Sequence, residues 1–360
     1  MGFKARRSRK PTPEQNMSHV EPTAPQVSLI VPVYNCERYL SDQLDALLAD
    51  AALSLEVIAV DDGSTDGSVA ILQARGATDA RLRILRQPHQ GLGAARNAGL
   101  RAARGAWVAF ADADDLLPSA GLVRWHEQAV SQGLEVLVGN AYRFTHAPAP
   151  LPRPPVLTRQ PTAGAMTGED WIAHCVAIGE WPHYVCLQLV KRELITRHGL
   201  AFDPSIFHED ILWTTQLALV ARRMGFASEP VYGYRRNPDS ITLSPSARIR
   251  QWRGVSYVHI IETLLALSRR QDLGQRTRVS IVRHVLHELL CFVDLLRKDV
   301  ENPQARAQLA RSMLDLRAWP GLVRHARGVT DLRRVFKAYR RLRRMARGKG
   351  AFTPDMAVTR

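Results

Sequence analysis

Cysteine is scarce in this chain. Its four cysteines, Cys36, Cys175, Cys186 and Cys291, include no Cys-x-x-Cys pair. That spacing argues against a disulfide scaffold or a zinc ribbon and for reduced, cytoplasmic thiols. Long apolar runs are missing too. Nothing approaches the roughly 18 residues of a membrane span, and the longest candidate, Val285 to Leu296, is interrupted by His287, Glu288 and Asp294. The opening GFKARRSRKPTPEQ is charged without an apolar segment, so no secretory signal is expected there. A Gly-x4-Gly-Lys-Ser/Thr loop is absent, which excludes a P-loop nucleotide site. Gly91-Leu92-Gly93 lacks the third glycine of a dinucleotide fingerprint, because position 96 is Arg96, and it does not follow the first strand.

What is present suits a soluble globular protein. The 360 residues can bury a full α/β core with a second, smaller unit beside it. A net charge of +15, mostly arginine, draws polyanions: nucleic acid, anionic lipid or phosphorylated substrates. A nucleic-acid-binding protein would leave the acidic segments described next without a purpose, so no nucleic acid partner is expected.

The chain is organised around Ala106 to Leu117, AWVAFADADDLL. Trp107-Val108-Ala109-Phe110 reads as a buried strand that ends abruptly in Asp112-Ala113-Asp114-Asp115. Carboxylates this close repel one another, and crowding them beside an apolar strand end costs free energy unless a cation is held there. Residues two apart on an extended chain face the same way, so Asp112 and Asp114 can share one ligand. Carboxylate oxygens suit Mg or Mn, which usually carry a substrate phosphate as well.

In chain order, residues 1–25 read as a disordered basic tail. A first strand reads from Val27 to Asn35, with Pro32 near its end marking where pairing is expected to stop, and a helix follows over Arg38 to Asp50. Leu55 to Val60 is a second strand entering Asp61-Asp62-Gly63-Ser64-Thr65-Asp66-Gly67-Ser68. Leu82 to Leu85, Ala106 to Phe110 and Glu135 to Gly139 read as further strands, with helices over Gly91 to Arg104 and Ser119 to Gln132. This alternation predicts a right-handed, doubly wound, mostly parallel (Rossmann-like) α/β sheet, whose ligands bind at the carboxyl ends of strands. Both acidic clusters fall at such ends.

Four segments, VSLIVPVYNCERYL, IAVDDGSTDGS, GLGAARNAGLRAARGAWVAFADADDLL and FHEDILW, together resemble the inverting nucleotide-sugar glycosyltransferases of family 2 in order and spacing. The resemblance covers about residues 27–243 and implies a GT-A fold over 26–245. It implies that Pro32 and Tyr34 line the base pocket, that Asp61 or Asp62 meets the base or ribose, and that Arg96 faces the nucleotide. Asp112 would touch ribose or metal, and Asp114 would hold Mg or Mn on the diphosphate, with Asp115 orienting the loop. Asp210 would be the general base, ionised at neutral pH if its pKa is ordinary, with Glu209 beside it as a supporting or acceptor contact. Arg236, and with it Ser240 in the Ser-x-Thr turn, would meet the diphosphate. The partners implied are a nucleotide-diphosphate sugar and a glycan or lipid-linked glycan acceptor of lipopolysaccharide, capsule or exopolysaccharide type. A catalytically silent sugar-nucleotide scaffold would carry the same motifs. One departure from the family is Gln188, where a lysine is usual. The Pro-rich stretch Ala147 to Pro161 reads as a flexible loop over the acceptor side.

Residues 246–346 lie outside these motifs and read as a helical extension. His284 and His287 lie three apart, but a pair without carboxylates reads as structural. Over Leu332 to Arg347 an apolar stripe of Leu332, Val335, Phe336, Tyr339, Leu342 and Met345 is flanked by arginines and Lys337, with no acid after Asp331. This basic amphipathic helix could lie on an anionic membrane, at the inner face of the plasma membrane, or pack on its own domain with a solvated basic face. Residues 347–360 are expected to be a flexible tail.

Overall fold

The computed structural model describes residues 24–49, 52–146, 153–161, 164–238, 240–241 and 244–348. The expected tails therefore lie largely outside the described residues, as do residues 147–152 of the Pro-rich stretch, Asp239 and Thr242.

The elements follow in the order β1 (Val27–Val33), α1 (Glu37–Leu48), β2 (Leu55–Asp61), α2 (Ser68–Gly76), β3 (Leu82–Arg86), α3 (Leu92–Ala102), β4 (Trp107–Phe110), α4 (Ser119–Ser131) and β5 (Val136–Phe144). Then come α5 (Gly168–Ile178), β6 (Gln188–Lys191), α6 (Arg192–His198), α7 (Glu209–Val220) and β7 (Met224–Arg235). The helical extension comprises α8 (Ala247–Leu267), α9 (Gln275–Lys298), α10 (Pro303–Asp315), α11 (Trp319–Arg324) and α12 (Val329–Ala346).

The seven strands form one sheet in the order β3-β2-β1-β4-β6-β5-β7. Pairs β1–β2, β1–β4, β2–β3 and β5–β7 are parallel, while β6 runs against both β4 and β5. Two reversals restore direction, so β5 and β7 point the same way as β4. The carboxyl ends of β1, β2, β4 and β7 thus share one rim, which is why residues far apart in sequence meet there. The expected mostly parallel sheet is observed, with β6 slotted into its middle. β1 and β2 are buried along their whole length, which is what their β-branched runs dictate for strands covered on both faces.

Pro32 does not end pairing on both sides. It pairs with Val60 of β2, while pairing with β4 stops at Ile30. The Val33 carbonyl accepts from Asp62 on the β2 side, so by strand alternation the missing N–H of Pro32 faces the β4 side, where no ladder remains to be broken. β5 runs on to Phe144, beyond the expected Gly139, because its second half pairs along β7. The described part of the Pro-rich stretch is packed: Val156 N–H donates to the Ala141 carbonyl at 2.7 Å, and buried Gln160 accepts from Trp171 Nε1 at 3.1 Å. Gln188 is structural in its contacts, accepting from Trp213 Nε1 at 2.8 Å and donating to Thr214 Oγ1 at 2.9 Å.

In the extension, Val335, Ala338 and Leu342 are the buried positions of α12, which packs on α10, α9 and α11. Most of the apolar stripe is thereby used internally. Phe336 remains 55% exposed beside exposed Arg333, Arg334, Lys337 and Arg340. No helix among the described residues is long and apolar enough to cross a membrane.

Candidate functional site

The segment around Arg96 explains how the rim is assembled. α3 presses onto β1 at Gly99, where a Cβ would come within 2.4 Å of Ile30 Cγ2. Arg96 lies three residues earlier, on the same inward face, and is 4% exposed. Its Nη2 donates to Asp112 Oδ1 at 3.0 Å, and its Nη1 forms a second ion pair with Glu209. One guanidinium therefore joins the turn after β4 to the first turn of α7. Next to it, Asn97 holds the backbone of Phe202 from both sides, its Oδ1 accepting at 2.9 Å and its Nδ2 donating at 2.8 Å. That clamp draws the segment leading to His208 against α3.

The two acidic turns differ in how they are satisfied. Asp61 accepts from Ser64 N–H at 3.0 Å and from Arg86 Nε at 3.3 Å. Asp62 accepts from Gln87 Nε2 and Gln90 N–H on one oxygen and from Gly91 N–H on the other, at 2.7–2.9 Å, with His89 Nδ1 also 2.9 Å away. Both carboxylates are buried and occupied in holding the loops at the end of β2. Gly63, at φ 79°, makes the turn between them possible. Tyr34, at the end of β1, is 44% exposed and stacks on His89 with centroids 4.1 Å apart.

At the end of β4 the crowding is real. Asp112 is half-buried against Arg96. Asp114 accepts from Asn237 Nδ2 at 2.8 Å, and its carbonyl accepts from Arg235 Nε at 2.7 Å. Asp115 is buried and accepts from Tyr232 Oη at 2.7 Å and from Arg235 N–H at 2.8 Å. Burial, followed by the charge of Asp112, raises the pKa of Asp114. The same two effects and Asp114 raise that of Asp115 well above the ordinary range. Asp112, Asp115 and the Cys186 sulfur converge within 4.8 Å. Cys186 is held as a neutral thiol by burial and by Asp112 and Asp115, so the hard donors here are the carboxylates. Mutual repulsion relieved by added positive charge, with oxygen ligands only, fits a divalent cation of the Mg or Mn type.

His208, at φ 61°, caps α7 and places Glu209 and Asp210 in its first turn, where the helix dipole favours negative charge. Glu209 is raised in pKa by burial, against the opposing pull of Arg96. Asp210 is pushed up to about 8 by burial and by the charges of Glu209 and Glu288, with Arg96 opposing. The expectation of an ordinary aspartate is therefore corrected. The neighbouring Glu209 was visible in the local sequence, but the burial of Asp210 and the charge of Glu288 on α9 were not. One oxygen of Asp210, Oδ1, is buried with no hydrogen-bond partner among the described residues.

The remaining expected site residues divide. Pro32 is buried inside β1, Ser240 is half-buried after β7, and Arg236 is exposed. Arg235 precedes the Arg236 from which a diphosphate contact was expected. It is 6% exposed, packed between the rings of Tyr39 and Phe144 at 4.8 and 4.6 Å, and bonded to the Asp114 carbonyl. Strand alternation could not separate the two arginines, because this end of β7 is buried on both faces. Tyr232 and Asn237 were likewise unremarkable in sequence and are the direct partners of Asp115 and Asp114. A cavity of about 410 Å³, lined in part by Glu135, Leu194, Arg197 and Arg222, lies at the amino-terminal side of the sheet, away from these carboxylates.

Comparison with known proteins places this geometry. Residues 28–178 match the model for "Glycosyl transferase family 2". The chain is 37% identical over 227 residues to the "Uncharacterized glycosyltransferase EpsJ" of Bacillus subtilis, an alignment covering 61% of this chain and 64% of EpsJ. The match thus spans less than two thirds of that relative's length. Among solved structures, the mannosyltransferase PcManGT from Pyrobaculum calidifontis, in complex with GDP-Man and Mn2+, superposes with a TM-score of 0.53 at 18% identity, over 90% of this chain and 86% of that one. S. aureus TarS 1-349 in complex with UDP-GlcNAc gives 0.52 at 18% identity, over 83% and 91%. At such identities these two likenesses speak for the GT-A fold.

Proposed function

Residues 28–178 match the family 2 glycosyltransferases, and from that premise we propose that the chain is a glycosyltransferase of this family that transfers a sugar, with inversion, from a nucleoside-diphosphate donor to a hydroxyl of a cell-surface glycan precursor. The observation that carries this reading is the Arg96 bridge. It ties the Asp112–Asp115 turn to Glu209, the residue before Asp210, so that a donor held at the one would lie beside a base at the other.

In this reading Asp114, with Asp112, holds Mg or Mn. The bound cation would supply positive charge against the charge building on the departing diphosphate. PcManGT, which shares the fold, is in complex with GDP-Man and Mn2+, and this supports a nucleotide sugar and a divalent ion as partners. Tyr34, stacked on His89 and open to solvent, offers a face on which a base can lie. Pro32 fixes the backbone beneath it. Asp61 and Asp62 shape the loops beside that face, with the Asp62 backbone and carboxylate tied to 87–91. Ser240 and Arg236 stand at the diphosphate end, and Arg235 keeps the Asp114 loop in place.

Asp210 accepts the proton of the attacking hydroxyl. A base with a pKa of about 8 is matched to neutral operation better than an ordinary aspartate, because it is a stronger proton acceptor once ionised. Positive charge from donor and cation would favour the ionised form. The exposed basic face of α12, with Phe336 at its edge, is proposed to rest on anionic lipid and so bring the site to a lipid-linked acceptor.

The test is turnover of a panel of nucleotide sugars with Mn, comparing the unaltered chain with Asp210→Asn. Donor-dependent turnover that Asp210→Asn abolishes supports the reading. Full rate in Asp210→Asn would remove the base assignment. Donor binding without turnover by the unaltered chain would indicate a scaffold instead.

A further inference from the structure

We propose that His183, His284 and Glu288 form a second metal site, for a zinc-type divalent ion, at the seam between α9 and the segment preceding β6. This site is separate from the cation proposed at Asp112 and Asp114 and differs from it in donor chemistry.

The geometry carries the proposal. His183 Nε2 and His284 Nε2 each stand 3.5 Å from Glu288 Oε1, and the three atoms lie within 4.8 Å of one another. A tetrahedral zinc about 2.0–2.1 Å from each ligand sets neighbouring ligand atoms about 3.3–3.4 Å apart. A charge-assisted hydrogen bond would bring nitrogen and oxygen to about 2.7–2.9 Å. The two histidine–glutamate spacings are close to those of ligands around an ion and wider than a direct ion pair would make them.

Hydrogen bonding points the same way. Both Nε2 atoms are buried and without a hydrogen-bond partner among the described residues. His284 is 3% exposed and Glu288 is 2% exposed. Leaving two imidazole nitrogens unfilled next to a buried carboxylate costs free energy that a shared cation would offset. The rings are also fixed in place. Trp181 stacks on His284 with centroids 4.1 Å apart and planes inclined by 12°. The i, i+4 spacing of His284 and Glu288 puts them on one face of α9. Two imidazoles and one carboxylate suit zinc rather than Mg, and leave a fourth position for water.

Such an ion would pin the helical extension to the catalytic domain. It would also sit near the base, since the Glu288 charge is felt at Asp210 and at His208.

The test is metal analysis of the full chain purified without chelator and dialysed against Mg, together with cobalt(II) titration. The expected result is zinc equimolar with protein, retained in Asp114→Asn and lost in Glu288→Gln. Cobalt(II) added to chelator-treated, unaltered chain should give the visible bands of a four-coordinate ion, which zinc abolishes. The cobalt measurement needs no variant to fold. Substoichiometric zinc with no such bands overturns the proposal, and so does zinc retained equally in a folded Glu288→Gln.

Discussion

The turns after β2 and β4 both end a buried strand in consecutive carboxylates, yet they do opposite things with their charge. Asp62 has both oxygens filled by Gln87, Gln90 and Gly91. It spends its charge on the loop that starts α3, the helix that carries Arg96. At the β4 turn Asp115 is filled as well, by Tyr232 Oη and Arg235 N–H, but Asp114 meets Asn237 on one oxygen and is raised in pKa by burial and by the charge of Asp112. Asp114 is the carboxylate of this turn left to take a partner from outside the chain. The difference teaches that a carboxylate pair at a strand end is a ligand site only when its own loop does not consume it. The number of backbone N–H donors within reach decides which case applies.

The sharpest way to break this comparison is to remove one member of each class. Asp114→Ala and Asp210→Asn should each lower sugar transfer by about 10²–10⁴-fold with the fold intact, measured as kcat/KM against circular dichroism. Asp62→Ala should act first on stability. It strands the N–H groups of Gln90 and Gly91, costing about 1–3 kcal/mol, seen as a lower denaturation midpoint.

The pH dependence sharpens the contrast further. With Asp210 near 8, kcat/KM should climb with pH through about 8 as the carboxylate forms, and this limb should vanish in Asp210→Asn. The stability sign is the reverse. The folded chain holds this proton more tightly than the unfolded one, so the contribution is present at low pH. It is lost as pH rises from about 4 through about 8. Asp210→Asn should therefore gain stability relative to the unaltered chain above pH 8, measured by thermal melts across pH.

The same logic makes Asp114→Asn mildly stabilising without metal, by a few tenths to about 1 kcal/mol, and less stable than the unaltered chain once Mn is saturating, because the variant binds the ion more weakly. A smaller effect again is expected at α12. Arg333→Glu with Lys337→Glu should reduce flotation with anionic liposomes several-fold while leaving donor turnover unchanged. Equal flotation would remove the membrane role.

How legible this was in the sequence follows from where each force originates. β1, β2 and β4 were readable because a parallel strand covered on both faces must be apolar throughout, and the ends of β2 and β4 are marked by the first aspartates. The place of β6 between β4 and β5 was not, since a strand's own pattern does not name its neighbours. The Asp114 loop could be anticipated from like charges two apart. The state of Asp210 could not, because part of its shift comes from Glu288 on α9, whose proximity only the packed helices create. Arg235 and Arg236 are adjacent, and their separation into one buried and one exposed side chain is decided by Tyr39 and Phe144.

The most direct test of the central claim is a manganese titration of the full chain, with and without a nucleoside diphosphate, comparing the unaltered protein with Asp114→Asn. The account predicts manganese binding that the diphosphate strengthens and that Asp114→Asn loses by at least tenfold. Manganese bound as tightly by Asp114→Asn as by the unaltered chain would contradict it.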